Sequence, residues 1–171
     1  MKKFLLLFVL GMIGCVTVPQ GVTPVDHFDL HRYLGRWYEI ARLDHAFERG
    51  LSDVTAEYTL NPDGSLRVIN RGYADQENKW KEVEGRAYFV KRPDQGFLKV
   101  SFFGPFYGSY VIFDLDDKGY SHALVCGPNR SYFWLLARSP DMEDDVKKRL
   151  IARAAALGFD THKLIYVRHS R

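Results

Sequence analysis

Cys126, Glu39 and three histidines are the side chains of this 171-residue chain with the most obvious capacity for chemistry. Cys126 is the one candidate nucleophile, but its neighbours Val125 and Gly127 offer no base. Strand alternation sets it opposite an inward Val125, so it reads as an inert, partly buried thiol. His27 and His31 are four residues apart, the spacing of two metal ligands on a helix, with His45 further on. Their segment precedes the first strand and is expected instead to form a short turn that plugs the base of the fold with Phe28. Glu39 is expected to point inward near that base, either bonded to a polar neighbour or standing as a satisfied structural carboxylate. The sequence holds no Gly-x-Ser-x-Gly elbow, no Gly-x-Gly-x-x-Gly fingerprint and no P-loop. These residues predict no catalytic constellation, no cofactor and no metal site.

The first fourteen residues carry a different signal. Lys2 and Lys3 precede a ten-residue apolar run, 4–13, well short of the roughly 20 apolar residues that span a bilayer. Residues 1–14 are therefore expected to be a secretory signal ending at the small Gly14. The run Met12-Ile13-Gly14-Cys15 resembles the lipobox of bacterial lipoproteins. That resemblance implies acylation of the Cys15 thiol, which becomes the mature N-terminus; a plain secretory signal with an incidental cysteine is the alternative. Val16 follows, where an Asp commonly retains lipoproteins in the inner membrane, so the resemblance favours the outer membrane of a Gram-negative bacterium, with the domain in the periplasm. Residues 15–26 contain Pro19, Gly21 and Pro24, show no periodicity and read as a tether. A lipidated Cys15 leaves Cys126 without an intramolecular disulfide partner. Loss of Lys2 and Lys3 leaves 22 basic residues against 21 acidic ones. No basic stripe forms, and nucleic acid is not expected as a partner.

What must position any site is a run of short β-like segments. They fall at 33–42, 53–60, 65–73, 80–90, 97–103, 109–116, 121–127 and 131–138, separated by Gly, Pro, Asp and Asn. Eight consecutive strands with short connections predict an all-β antiparallel up-and-down barrel. One helix follows. Met142, Val146, Leu150, Ala154 and Leu157 make its apolar stripe, Asp141 is the expected N-cap, and Gly158 the expected stop. The stripe is expected to pack outside the barrel rather than on a membrane, and a last strand covers 163–168.

Alternation divides the strands into two faces. The inward set includes Ala56, Tyr58, Val83, Ala87 and Val100, and it continues through Phe102, Tyr110, Tyr132 and Trp134. Small residues at Ala56, Gly85, Ala87 and Ala123 leave space and the aromatics line it, which favours a cavity over a filled barrel. No inward charge cluster is evident, so an elongated apolar guest is the expected ligand. At roughly 0.8 kcal/mol per buried methylene, about ten methylenes contribute a gross ~8 kcal/mol, of micromolar order.

The run Tyr33-Leu34-Gly35-Arg36-Trp37-Tyr38-Glu39-Ile40-Ala41-Arg42 resembles the first signature of the lipocalins, built on Gly35-x-Trp37. Arg138, at the end of the eighth strand, matches the family's lone Arg, which packs over that Trp at the closed end. Gly-x-Trp alone is a weak signal, and its pairing with Arg138 just before a helix makes it specific. The resemblance extends over about 25–168, within a domain taken as 27–171, and lies nearest the bacterial outer-membrane and apolipoprotein D-like branches. It departs at Asp116-Asp117-Lys118-Gly119-Tyr120, where the family carries Thr-Asp-Tyr. The resemblance implies binding and storage or transport of a fatty acid, lysophospholipid or phospholipid in support of the membrane, and it allows a homodimer, which some members form. Two other readings stay open: a small barrel enzyme using Cys126 on a lipid-like substrate, and an envelope scaffold with a filled barrel.

Overall fold

Polar turns alternate with pleated runs from Gly35 to Ala137, and the resulting antiparallel ladder closes on itself. The computed structural model describes residues 16–170; the signal 1–14 and Cys15 lie outside the described residues. The strands are β1 (Gly35–Arg42), β2 (Leu51–Leu60), β3 (Leu66–Ala74), β4 (Lys79–Phe89), β5 (Phe97–Phe103), β6 (Phe106–Leu115), β7 (His122–Cys126) and β8 (Phe133–Ala137). Each pairs with its successor, and β1 pairs with both β2 and β8, so the ring of eight is complete and has no free edge.

In an up-and-down ring the connections alternate between ends. Residues 43–50, 75–78, 104–105 and 127–132 cluster at one end, and 61–65, 90–96 and 116–121 at the other. A helical turn, α1 (Leu30–Tyr33), lies before β1, capped by Asp29, whose carboxylate accepts from the backbone N–H of His31 and Arg32.

Apolar residues occupy two separate cores. Inside the ring, Phe28, Tyr33, Trp37, Tyr58, Leu66, Val68, Ile112 and Val125 pack together. Outside it, Phe113, Leu124, Cys126, Phe133 and Leu135 form a second core beneath α2 (Asp144–Ala156), which buries Leu150 and Ala154 there. The helix begins later than its sequence suggests. Asp141 turns back so that its N–H bonds Ser139 Oγ, and Glu143 takes the N-cap position without a side-chain cap bond. Gly158 stops the helix at φ +84°, and Arg130 Nε donates to the free Leu157 carbonyl at 2.7 Å.

Two expectations are corrected. The last strand is only β9 (Ile165–Tyr166), since residues 161–163 wind into a 3-10 turn. β9 pairs with Ala41 and Arg42, beyond the point where β2 leaves β1. Residues 16–26 are also not a loose tether along the described stretch. Pro19 and Val22 are buried, Val25 N–H donates to Ile112 O, Gly96 N–H donates to Val25 O, and Asp26 forms a β-bridge with Gln95. Aperiodic composition hid a strap whose backbone is satisfied by the barrel wall.

Candidate functional site

The site is built from its sealed base upward. Trp37 is fully buried, and its indole Nε1–H donates to Tyr33 O at 2.9 Å. The Arg138 guanidinium lies over the Trp37 ring, 4.0 Å from its centroid. It donates to Arg36 O at 2.8 Å and to Arg32 O at 2.7 Å, clamping α1 onto β1. Gly35 holds φ +90°, the left-handed region in which a side chain is strained. Phe28 and Tyr33 complete the plug, with ring centroids 5.2 Å apart. In the departing loop, Asp116 accepts from Ser121 N–H and Oγ–H, and its carboxyl is pulled down to about 2, chiefly by the Ser121 hydroxyl. Tyr120 follows at φ 52°, takes Asp29 N–H on its hydroxyl and carries the Arg32 guanidinium 4.0 Å above its ring. The altered motif still locks the base.

Above the plug lies a cavity of about 650 Å³, within the range usual for small-molecule sites. Ala56, Tyr58, Val83, Ala87, Val100, Phe102, Tyr110, Tyr132 and Trp134 all line it. One expected gap is absent, because a Cβ on Gly85 would meet the Phe102 ring at 2.6 Å. On the floor, Tyr110 Oη sits 2.7 Å from Tyr33 Oη and accepts from Tyr58 Oη–H at 2.6 Å. Burial, the largest cause for each, raises all three phenols, so they are neutral hydrogen-bonding groups near neutral pH.

The upper wall overturns the expectation of no inward charge. Glu39 and Glu48 both line the cavity. Arg42 Nη1 meets Glu39 Oε1 at 2.7 Å, and Arg42 Nη2 donates to Glu48 O at 2.8 Å, with all three residues buried. His45 Nε2 lies 3.0 Å from Glu48 Oε2, and Trp134 Nε1–H donates to that carboxylate at 3.1 Å. Burial first, and then the charge of Glu48, push the Glu39 carboxyl well above its ordinary value. Burial also acts to raise Glu48, but His45, Trp134 and the Arg42 charge outweigh it and hold that carboxyl low. Strict alternation sets Glu39 and Arg42 on opposite faces. A bulge between Glu39 and Ala41 leaves both Ile40 and Ala41 in the outer core and returns Arg42 to the inside. Glu39 points inward two residues beyond Trp37 of the plug, paired with Leu136 of β8, and lines the cavity wall. Asn70, a further polar lining residue, has an Oδ1 without a hydrogen-bond partner.

The remaining candidates fall outside this site. Cys126 is buried in the outer core, and burial pushes its thiol up to about 12, so neither its position nor its ionisation suits attack on a guest in the cavity. His27 and His31 are exposed at the base, whereas His45 is buried among the open-end loops. Among the described residues no group of three His, Cys, Asp or Glu could hold a metal ion.

Known proteins share this architecture. The family described as a lipocalin-like domain matches residues 28–169. The chain is 55% identical over 164 residues to the outer membrane lipoprotein Blc of Vibrio cholerae, covering 96% of each chain. It is 56% identical to the protein of that name from Escherichia coli K12, over 88% of this chain and 85% of the other. Temperature-induced lipocalin-1 of Arabidopsis thaliana is 37% identical over 87% of this chain and 83% of its own. Among solved structures, insecticyanin of Manduca sexta superposes with a TM-score of 0.70 at 22% identity, over 91% of this chain and 88% of that one. That last likeness speaks to the fold.

Proposed function

This chain belongs to the lipocalin family, whose barrels take up hydrophobic ligands, and we propose that its own guest is a membrane-derived amphiphile: a fatty acid, a lysophospholipid or a phospholipid. The observation that carries this reading is the polarity of the cavity along its axis. Leu66, Val68, Ala87 and Leu98 line the part near the plug, where the Tyr33, Tyr58 and Tyr110 hydroxyls bond one another, while Glu39, Glu48 and Asn70 line the wall with Arg42 paired to Glu39. Hydrocarbon gains from burial at the apolar end, and a polar head gains from hydrogen-bonding groups and water at the other. A tail-down, head-up pose satisfies both.

Two relatives are named outer membrane lipoproteins. For this chain the corresponding reading is acylation at Cys15, anchorage at the outer membrane and a domain in the periplasm that stores or carries lipid in the upkeep of that membrane. Lipid extraction tests the ligand. Full chain purified from membranes in mild detergent should carry about one single-chain or two-chain amphiphile per barrel, identified by mass. Protein that carries none, and gains none when incubated with fatty acid or lysophospholipid, would overturn the reading. Cys15→Ser tests the anchor and should move the protein into the soluble fraction.

A further inference from the structure

Three phenol hydroxyls meet on the cavity floor, and their hydrogen bonds do not close among themselves. Tyr58 Oη–H donates to Tyr110 Oη at 2.6 Å, and Tyr110 and Tyr33 share a second bond of 2.7 Å. Three hydroxyl protons therefore serve two contacts. If Tyr33 donates to Tyr110, the proton of Tyr110 is spare; if Tyr110 donates to Tyr33, the proton of Tyr33 is spare. No other acceptor among the described residues takes it, and Tyr58 Oη accepts from no group there. Tyr33 and Tyr58 are only 2% and 6% exposed, and all three residues line the cavity. Burial keeps the phenols protonated, so the spare proton persists near neutral pH. A buried donor without an acceptor carries a cost that phenylalanine at the same place would not.

The surroundings narrow what could answer that donor. Phe28, Leu66, Val68 and Leu98 pack in the same inner core and offer no polar side-chain atom. No hydrogen bond joins the three phenol oxygens to Glu39, Glu48 or Asn70, so the cavity has two polar zones rather than one. A methyl at the end of a guest chain gives the floor nothing. A carboxylate would bring a full charge to a place with one donor to offer, which does not repay its lost hydration. A hydroxyl supplies both missing parts: an acceptor for the spare proton and a donor for Tyr58 Oη.

We propose that the Tyr33–Tyr58–Tyr110 floor is a subsite for an uncharged oxygen at the far end of the guest, and that the barrel selects acyl chains hydroxylated at or near the tail terminus. The guest's hydroxyl closes the open chain of three phenols into a ring of four hydroxyls. The inference rests on the tail-down pose above and deepens it, because it names the chemistry of the chain where that reading named the head.

Paired ligands test it. Delipidated full chain in mild detergent is offered straight-chain fatty acids of increasing length, each mixed with its ω-hydroxy counterpart, and native mass spectrometry reads which of the two each barrel holds. The expected result is a severalfold preference for the hydroxylated chain at the length that reaches the floor. An isomer hydroxylated at mid-chain sets its oxygen against the apolar wall and should be held less than the plain acid. The triple variant Tyr33→Phe, Tyr58→Phe, Tyr110→Phe removes all three oxygens and keeps the rings; a single change would not serve, because any open chain of hydroxyls retains one spare proton. In the triple variant the preference should reverse toward the plain acid, a total change of at least about tenfold, since the buried hydroxyl then finds no partner. Plain acids bound with no preference at any length, or a preference that survives in the folded triple variant, would overturn the subsite and leave the lipid-binding reading standing. If the triple variant does not fold, the mid-chain isomer decides: equal preference for mid-chain and terminal hydroxyls would overturn the proposal. Plain acids lost from the folded triple variant would put the carboxyl head on the floor and overturn both this proposal and the tail-down pose. A parent chain that takes up no acid of either kind would remove the lipid-binding reading and this inference with it.

Discussion

Trp134 donates its indole Nε1–H to Glu48 Oε2 at 3.1 Å, tying a side chain of the cavity wall to the loop between β1 and β2. Because Glu48 also meets His45 and offers its carbonyl to Arg42, one contact links the loop, the wall and the buried Glu39–Arg42 pair. The loop is held by charge and hydrogen bonding at a place where the barrel is otherwise apolar.

The two buried glutamates should therefore respond to pH in opposite senses. Glu48 is held below the ordinary carboxylate value of 4.5. It contributes stability that is present above that value and is lost as pH falls through its lowered one. Glu39 is raised, so the folded state keeps its proton longer and loses stability as pH rises from the ordinary value through the raised one. Glu48→Gln should lower stability at pH 7 by about 2 kcal/mol, on the order of 4–8 °C in Tm, and flatten the acid limb. Glu39→Gln should cost less at pH 7 and flatten the limb above the ordinary carboxylate range. Calorimetric melting of both variants between about pH 3 and pH 8 checks the two signs.

Arg138→Ala should destabilise without altering ligand choice. The side chain supplies a cation–π contact to Trp37 and three hydrogen bonds to backbone carbonyls at the closed end. Its loss should cost about 2–4 kcal/mol. Arg138→Lys should recover only part of this, because an ammonium lacks the planar fork that stacks and donates at once. Thermal melting and ligand titration of both variants check it; a large change in affinity with unchanged Tm would contradict the placement.

Cys126 should be silent. In the native protein near pH 8 it should resist an aromatic disulfide reagent and react only on unfolding, since burial pushes its thiol up to about 12. Cys126→Ala should bind ligand as the parent does, with a stability loss of about 1 kcal/mol from the small cavity left behind.

Period-two alternation was enough to identify the wall, because Ala87 faces Val100 and Val68 faces Gly85 across undisturbed ladders. Trp37 and Arg138 were legible as a pair because their types and order are unusual together. Of the charged cluster only the inward Glu39 was legible, and its partners were not. A single bulge after Glu39 shifts the phase of β1, and alternation carries no signal for where a strand adds a residue. His45 and Glu48 sit in a loop, where no periodicity applies. The strap escaped for a related reason: its packing depends on partners such as Ile112 and Pro128, about ninety to a hundred and ten residues away in sequence, and not on its own composition.

The central claim, that the barrel takes up an amphiphile with its tail toward the Trp37 plug, is tested most directly by titrating delipidated protein from Val16 onward with a fatty acid and a lysophospholipid. Trp134 lines the cavity and reports binding through its fluorescence. Alongside it runs Ala87→Phe, which places a ring where a tail should lie. The account predicts saturable one-to-one binding of micromolar order or tighter, weakened at least about tenfold in the variant, a difference of roughly 1.4 kcal/mol. Folded protein that shows no saturable response to either ligand, or an Ala87→Phe variant that binds as tightly as its parent, would contradict it.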